Sequence, residues 1–194
     1  GFLSFFFFFR RPDLFKAIVL LDSPIMGHMK STMLAVAKRF GVMERITPAG
    51  ACRARRREWE SAEAAVSYFR GKPLFRHFDA DCLRDYARNC TVPNAEGGVR
   101  LLFNPEIEYL IYCHLPHTYP AYRRKLQVPA GFLGGRDSHL VNGFDVRNMQ
   151  RNHGIVCRRL DGGHLFPLEH PQQAAEQIHR MIQRLLQRST TQAA

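Results

Sequence analysis

The sequence lacks an apolar run long enough to cross a membrane. The run in GFLSFFFFF, from Phe2 to Phe9, has eight residues and includes Ser4, whereas a spanning helix needs about twenty. A signal peptide places its basic residues before the apolar run, but here Arg10 and Arg11 follow it and Pro12 comes next. We therefore expect no membrane segment, no export signal and no membrane partner.

Paired cysteines are also missing. Since no two cysteines form a CxxC pair, neither a zinc ribbon nor a redox pair is indicated. The pair His114 and His117 is separated by Pro116, which breaks the helix that would align two metal ligands. We expect no metal and no cofactor, and scattered free thiols favour a reducing, cytoplasmic location. The five cysteines are Cys52, Cys82, Cys90, Cys113 and Cys157.

Acidic residues are scarce. There are 17 against 28 lysines and arginines, which gives a net charge of +11. Such an excess is typical of proteins that bind nucleic acid. The basic cluster of Arg53 and Arg55–Arg57, however, lacks aromatic residues spaced to stack on bases. We predict that it is a solvated helix surface and expect no nucleic-acid partner. A nucleic-acid binder is kept only as a third hypothesis for function, after the two given at the end of this section.

Three apolar segments have the character of buried strands. They are Ala17–Leu21, the run VPAGFLGGRD over Val128–Asp137, and Ile155–Leu160. Short continuous apolar runs are consistent with strands buried on both faces of a parallel sheet. Helical patterns alternate with them, which favours right-handed crossover connections. The fold class predicted is therefore α/β, with three parallel strands and flanking helices.

Helical patterns cover much of the remaining chain. The segment from Lys30 to Asn89 is polar and helical, and has the character of an inserted lobe. We predict a core made of residues 1–24 and 96–190, with a helical cap or lid inserted at 25–95. Helices are expected at Phe2–Phe9, Pro105–Cys113, 144–153 and Pro171–Gln187.

Polar residues follow each predicted strand. Asp22, Asp137 and His164 stand where functional groups of parallel sheets occur, just past the carboxyl ends of the strands. Asp137 and His164 follow adjacent strands and can share a hydrogen bond, which would fix the imidazole tautomer and stabilise the imidazolium. The chain contains no GxSxG motif, and none of its serines occupies a strand-to-helix elbow.

These segments, in this order, resemble the α/β-hydrolase fold family from just after its nucleophile elbow to its end. GFLSFFFFFRRPDLFKAIVLLDSP is similar to the helix and strand that follow the elbow. VPAGFLGGRDSH resembles the acid-bearing strand, and LDGGHLFPLEHPQQAAEQI resembles the histidine segment and the closing helix. The resemblance covers almost the whole chain, and its most specific part is GGHLFPLEHP with the aspartate upstream.

The resemblance implies roles for three residues. His164 matches the general base and acid, and Asp137 matches the carboxylate that orients it. Asp22 is the alternative acid, because some members carry the acid after the preceding strand. No substrate-binding residue is identified.

The implied activity is hydrolysis of an ester or related acyl bond in a small-molecule substrate by a Ser-His-Asp triad. The nucleophile would lie upstream of Gly1, so the chain alone is expected to be inactive. An upstream aspartate nucleophile would instead give an epoxide or haloalkane hydrolase. The other alternative is a non-catalytic remnant or interaction protein, with self-association through the exposed edge of the strand Ala17–Leu21.

Overall fold

The computed structural model describes residues 1–23, 25–122 and 125–193. They form two compact units, Gly1–Thr32 with Pro116–Ala194, and Met33–Leu115. The second unit, Met33–Leu115, is called the helical unit below. Its bounds differ from those of the predicted lobe, 25–95, because residues 96–115 belong to it. Pro24, at the predicted boundary, lies outside the described residues. That the helical unit acts as a lid stays a prediction.

The helices are α1 (Phe2–Arg10), α2 (His28–Arg39), α3 (Met43–Ile46), α4 (Ala49–Arg53), α5 (Ala62–Arg70), α6 (Ala80–Cys90), α7 (Pro105–Cys113), α8 (Gly143–Asn148), α9 (Phe166–Glu169) and α10 (Pro171–Ala193). The strands are β1 (Ile18–Leu21), β2 (Glu58–Trp59), β3 (Thr91–Pro93), β4 (Val99–Leu101), β5 (Ala130–Gly135) and β6 (Val156–Leu160). Short 3₁₀ turns cover Pro12–Leu14, Pro73–Phe75 and Tyr119–Tyr122, and a π turn at Met149–His153 follows α8.

A parallel sheet with the order β1-β5-β6 organises the first unit and confirms the predicted α/β class. The central strand, β5, is buried at all six positions. Its side chains alternate between two apolar clusters, so that Phe132 packs with α1 and Leu133 packs with α10. Helices therefore cover both faces, as the continuous apolar run predicts. Among the described residues β1 has one strand neighbour, and self-association through its other edge stays a prediction.

The phenylalanine run forms α1, as predicted, but the helix is buried on one side only. Phe5, Phe8 and Phe9 pack into the core beside β1, whereas Leu3 is 86% exposed and Phe7 is 48% exposed. The rings of Phe5 and Phe9, one turn apart, make an edge-on contact with centroids 4.9 Å apart. The five consecutive phenylalanines therefore differ in burial according to which side of the helix packs against β1.

The closing helix, α10, packs on the opposite face of the sheet. Met181 and Leu185 are buried and lie against Gly131 of β5, where an added Cβ would come within 2.7 Å of the Met181 side chain. Ile182, next to Met181 in the helix, is 39% exposed. Gly131 thus lets the helix approach the central strand closely.

The second unit has an antiparallel sheet with the order β2-β4-β3 and a core rich in aromatic rings. Trp59 and Phe75 each contact Phe69, with ring centroids 5.2 Å apart in both pairs. Arg53, from the basic cluster, lies 3.6 Å above the ring of Tyr109. It also forms an exposed ion pair with Glu106, while Arg55 pairs with Glu108. Two of the four clustered arginines are thus neutralised within the unit.

The end of β5 passes very close to the turn that precedes His164. A Cβ added to Gly135 would lie 2.0 Å from the carbonyl oxygen of Gly163. Gly162, in the same turn, has a φ of +104°, a conformation that glycine adopts without a steric penalty. Within the described ranges, no helix has the combined length and apolarity needed to cross a bilayer.

Substitution of Phe5 by alanine should lower the free energy of unfolding by about 3–5 kcal/mol, because the ring is removed from a packed core. The matched change Phe7→Ala should lower it by about 1 kcal/mol or less, since that ring is half exposed. Urea denaturation of both variants measures the difference. Equal losses would contradict the burial described for α1.

Substitution of Gly135 by alanine should destabilise the protein by about 1–3 kcal/mol, because the added methyl group overlaps the turn at Gly163. Gly143→Ala is the matched control, since no described residue outside its own stretch of chain comes within 4 Å of the Cβ position at Gly143. Thermal unfolding measures the stability of both variants. A loss in Gly135→Ala alone shows that the close approach of residues 135 and 163 is the cause, and not a general effect of replacing glycine by alanine. A stable Gly135→Ala variant would refute the close contact.

Candidate active site

Three polar residues lie beyond the carboxyl ends of the parallel strands, as the sequence predicts. Asp22 follows β1 directly, Asp137 follows β5 after one residue, and His164 follows β6 after a short glycine turn. Because the strands are parallel, these ends share one edge of the sheet. The backbone N–H of Asp22 donates to the carbonyl of Leu133, at 2.7 Å, and so extends the strand pairing to the acid itself.

His164 forms its hydrogen bond with Asp22. Its Nδ1 lies 2.8 Å from Oδ2 of Asp22. The Asp22 side chain is 1% exposed and the His164 side chain is 43% exposed. If the carboxylate is ionised it only accepts hydrogen bonds, so Nδ1 would be the donor; in a neutral imidazole the lone pair then lies on Nε2. The pair therefore combines a buried carboxylate with an accessible imidazole nitrogen that can accept a proton.

The structure does not bring the preferred acid, Asp137, to His164. Asp137 is exposed, and among the described residues its carboxylate has no hydrogen-bond partner, although its backbone N–H donates to the carbonyl of Gly162 at 3.1 Å. The physical reason is the turn after β5, where the N–H of Ser138 donates back to Gly135. This turn brings Ser138 onto Asp22 and leaves Asp137 in solvent. The alternative acid, Asp22, is the one that contacts His164.

Asp22 has a strained backbone and a crowded carboxylate. Its φ is +39°, in the left-handed region that residues other than glycine occupy only when their surroundings hold them there. Oδ2 accepts hydrogen bonds from Ser138 Oγ and from His164. Oδ1 is buried and has no hydrogen bond from any residue that the structure describes, and the Arg159 guanidinium lies 3.9 Å from it. Three side chains therefore converge on this carboxylate.

Ser138 and Arg159 were not anticipated from the sequence. Ser138 stands next to the predicted acid, and Arg159 lies in strand β6, whose sequence VCRRL contains two arginines. The half-buried Arg159 requires partners, but the sequence does not distinguish it from the exposed Arg158. The serine carried no signal, since its role depends on the turn that follows β5.

The turn that presents His164 is tied to the following helix. The N–H of Gly163 donates to Oε2 of Glu169, in α9, at 2.7 Å. The N–H of Phe166 donates to the carbonyl of Gly163. These bonds fix the backbone on both sides of His164 and so restrict the position of its imidazole.

Among the described residues, no hydroxyl, thiol or carboxylate is hydrogen-bonded to Nε2 of His164, whereas the hydroxyl of Ser138 is bonded to Asp22. Cys157, on β6, is partly buried, and burial raises the pKa of its thiol to about 11. It is therefore protonated at neutral pH and unsuited to nucleophilic attack. The described residues also contain no cluster of three or more potential metal ligands.

No family model matches the sequence, and no curated protein matches it either. Solved structures do match. An E-2-(acetamidomethylene)succinate hydrolase has a TM-score of 0.66 at 21% identity, and a thioesterase domain from the curacin biosynthetic pathway has 0.65 at 20%. An esterase from Mycobacterium tuberculosis has 0.64 at 16%.

The matches cover most of this chain and part of each neighbour. They include 90%, 91% and 94% of this chain, and 60%, 62% and 57% of the respective neighbours. The chain thus spans about three fifths of the length of these proteins. At such low identities the likeness concerns the fold alone. The matched part, a three-stranded parallel sheet with helices on both faces, corresponds to a portion of the α/β-hydrolase fold.

Proposed function

We propose that the chain carries the base and acid of a hydrolase that cleaves an ester or related acyl bond in a small molecule. The observation that supports this most is the contact between His164 Nδ1 and the buried carboxylate of Asp22. It leaves Nε2 accessible at the functional edge of the sheet. The names of the structural neighbours, a hydrolase, a thioesterase domain and an esterase, support an acyl substrate.

In the proposed mechanism His164 first acts as a general base. Nε2 takes the proton of a serine hydroxyl as its oxygen attacks the acyl carbon, and Asp22 stabilises the imidazolium that forms. The imidazolium then gives this proton to the departing alkoxide, which leaves as an alcohol. Water then attacks the acyl-enzyme in the same way. His164 takes a proton from the water, the carboxylic acid product is released, and His164 returns the proton to the serine oxygen.

The serine itself is proposed to come from outside the described residues. We place this serine next to the amino end of α1, because Gly1 lies close to the pair. A Cβ added to Gly1 would lie 2.0 Å from Ser23 Oγ, and Ser23 adjoins Asp22. The first N–H groups of a helix have no partners within it and form its positive end. A carbonyl oxygen that becomes negative there would be stabilised. By the same proposal, residues 1–194 alone are inactive.

Substitution of Asp22 by asparagine should change the tautomer of neutral His164 from Nδ1–H to Nε2–H, because the new amide can donate to Nδ1. Asp137→Asn is the matched control and should leave the tautomer unchanged, since Asp137 does not contact the imidazole. Long-range hydrogen–nitrogen NMR spectra of the two variants, under mildly alkaline conditions, measure the tautomer directly. A change in Asp137→Asn, with none in Asp22→Asn, would assign the acid to Asp137 instead.

The product of the complete gene that encodes residues 1–194 should hydrolyse p-nitrophenyl acetate. His164→Ala should reduce kcat by about a hundredfold or more, because the general base is lost. His179→Ala, an exposed histidine on α10, should have no effect. Full activity in the His164→Ala protein would overturn the proposed function.

Residues 1–194 expressed alone should neither turn over the ester nor react with a fluorophosphonate probe. Mass spectrometry of the treated chain tests this. Labelling of any serine within it would contradict the proposed origin of the nucleophile.

A further inference from the structure

Arg159 makes an unusual set of contacts for a strand residue. Its side chain is 29% exposed. Nη1 donates to the carbonyl of Gly135 at 2.6 Å, and Nη2 donates to the carbonyl of Val141. These acceptors mark the start and the end of the loop that follows β5. One guanidinium therefore closes this loop from the neighbouring strand.

The loop closed by Arg159 carries a direct contact to the acid. Ser138 is buried within it, and its Oγ donates to Oδ2 of Asp22 while it accepts from the N–H of Leu140 at 3.3 Å. Since the same Oδ2 accepts from His164, the orientation of the carboxylate depends on where the loop holds Ser138. Displacement of the loop would remove one of the two donors that orient the carboxylate.

The charge of Arg159 acts on the same group. Its Nη1 lies 3.9 Å from Oδ1 of Asp22, the carboxylate oxygen to which no described residue donates a hydrogen bond. A buried carboxylate is costly without a counter-charge, and the guanidinium is the nearby cation that supplies one.

We propose that Arg159 is a positioning residue for the Asp22–His164 pair. It holds the loop at Gly135 and Val141 so that Ser138 orients the carboxylate, and it balances the charge of that carboxylate. The catalytic meaning of this role rests on the proposed function, whereas its geometry does not. A lysine would not replace it fully, because lysine offers one compact cation whereas arginine offers a planar fork of donors.

The test measures the His164 tautomer in residues 1–194, labelled with nitrogen-15 at histidine. In the unsubstituted chain His164 should be almost entirely Nδ1–H. In Arg159→Gln the ratio of Nδ1–H to Nε2–H should fall about tenfold, the scale of one lost hydrogen bond to a charged group. Arg159→Lys should give an intermediate ratio, since it restores the charge without the fork.

The matched control is Arg158→Gln. Arg158 adjoins Arg159 on β6, is exposed, and donates to Gln177 on α10. Its loss should leave the tautomer ratio unchanged. A ratio in folded Arg159→Gln equal to that of the unsubstituted chain would overturn the proposal, and so would an equal fall in Arg158→Gln.

Ser138→Ala provides a second variant, needed if Arg159→Gln does not fold. It removes one hydroxyl and should lower the ratio in the same direction. An unchanged ratio in Ser138→Ala would overturn the proposal on its own. The readout requires no turnover, so a complete gene product without esterase activity would refute the proposed function and leave this inference standing.

Discussion

The parallel pairing of β5 with β1 and β6 is the constraint on which the site depends. The pairing places Leu21 beside Leu133 and Gly135 beside Leu160, so the carboxyl ends of all three strands reach one edge. Asp22 continues the first ladder through its backbone bond to Leu133. A hydrogen bond between residues 142 positions apart in the chain follows from this register. The contact between Asp22 and His164 thus depends on the backbone pairing of the three strands, which brings their carboxyl ends together.

Much of this arrangement can be predicted from the sequence. The three strands, the helix α7 and the start of α10 follow from apolar runs and from proline positions, which are local signals. The positions of Asp22 and His164 just past strand ends follow as well. Which aspartate contacts His164 does not follow, because both aspartates follow strands. It depends on the turn after β5 and on the left-handed backbone of Asp22, which are properties of the folded chain.

Two other features lie beyond sequence patterns for similar reasons. In the phenylalanine run every position is apolar, so no periodicity marks which rings face the core, and only packing against β1 separates Phe5 from Phe7. The extent of the helical unit depends on β2, β3 and β4, strands of two or three residues. The run VRLLF at Val99–Phe103 is consistent with the extended segment β4, but its pairing with β2 and β3 has no local sequence signal. The packing of α7 against α4, which also places residues after 96 in this unit, has none either.

The central claim, that Asp22 and not Asp137 is the partner of His164, is tested most directly by a pair of double-mutant cycles. Urea denaturation of the single and double variants with asparagine at Asp22 or Asp137 and glutamine at His164 gives the coupling free energies. Groups in direct contact couple by about 0.5–3 kcal/mol, and groups without contact couple by about zero. The account predicts measurable coupling for Asp22 with His164 and none for Asp137. Coupling of His164 to Asp137 alone would contradict it.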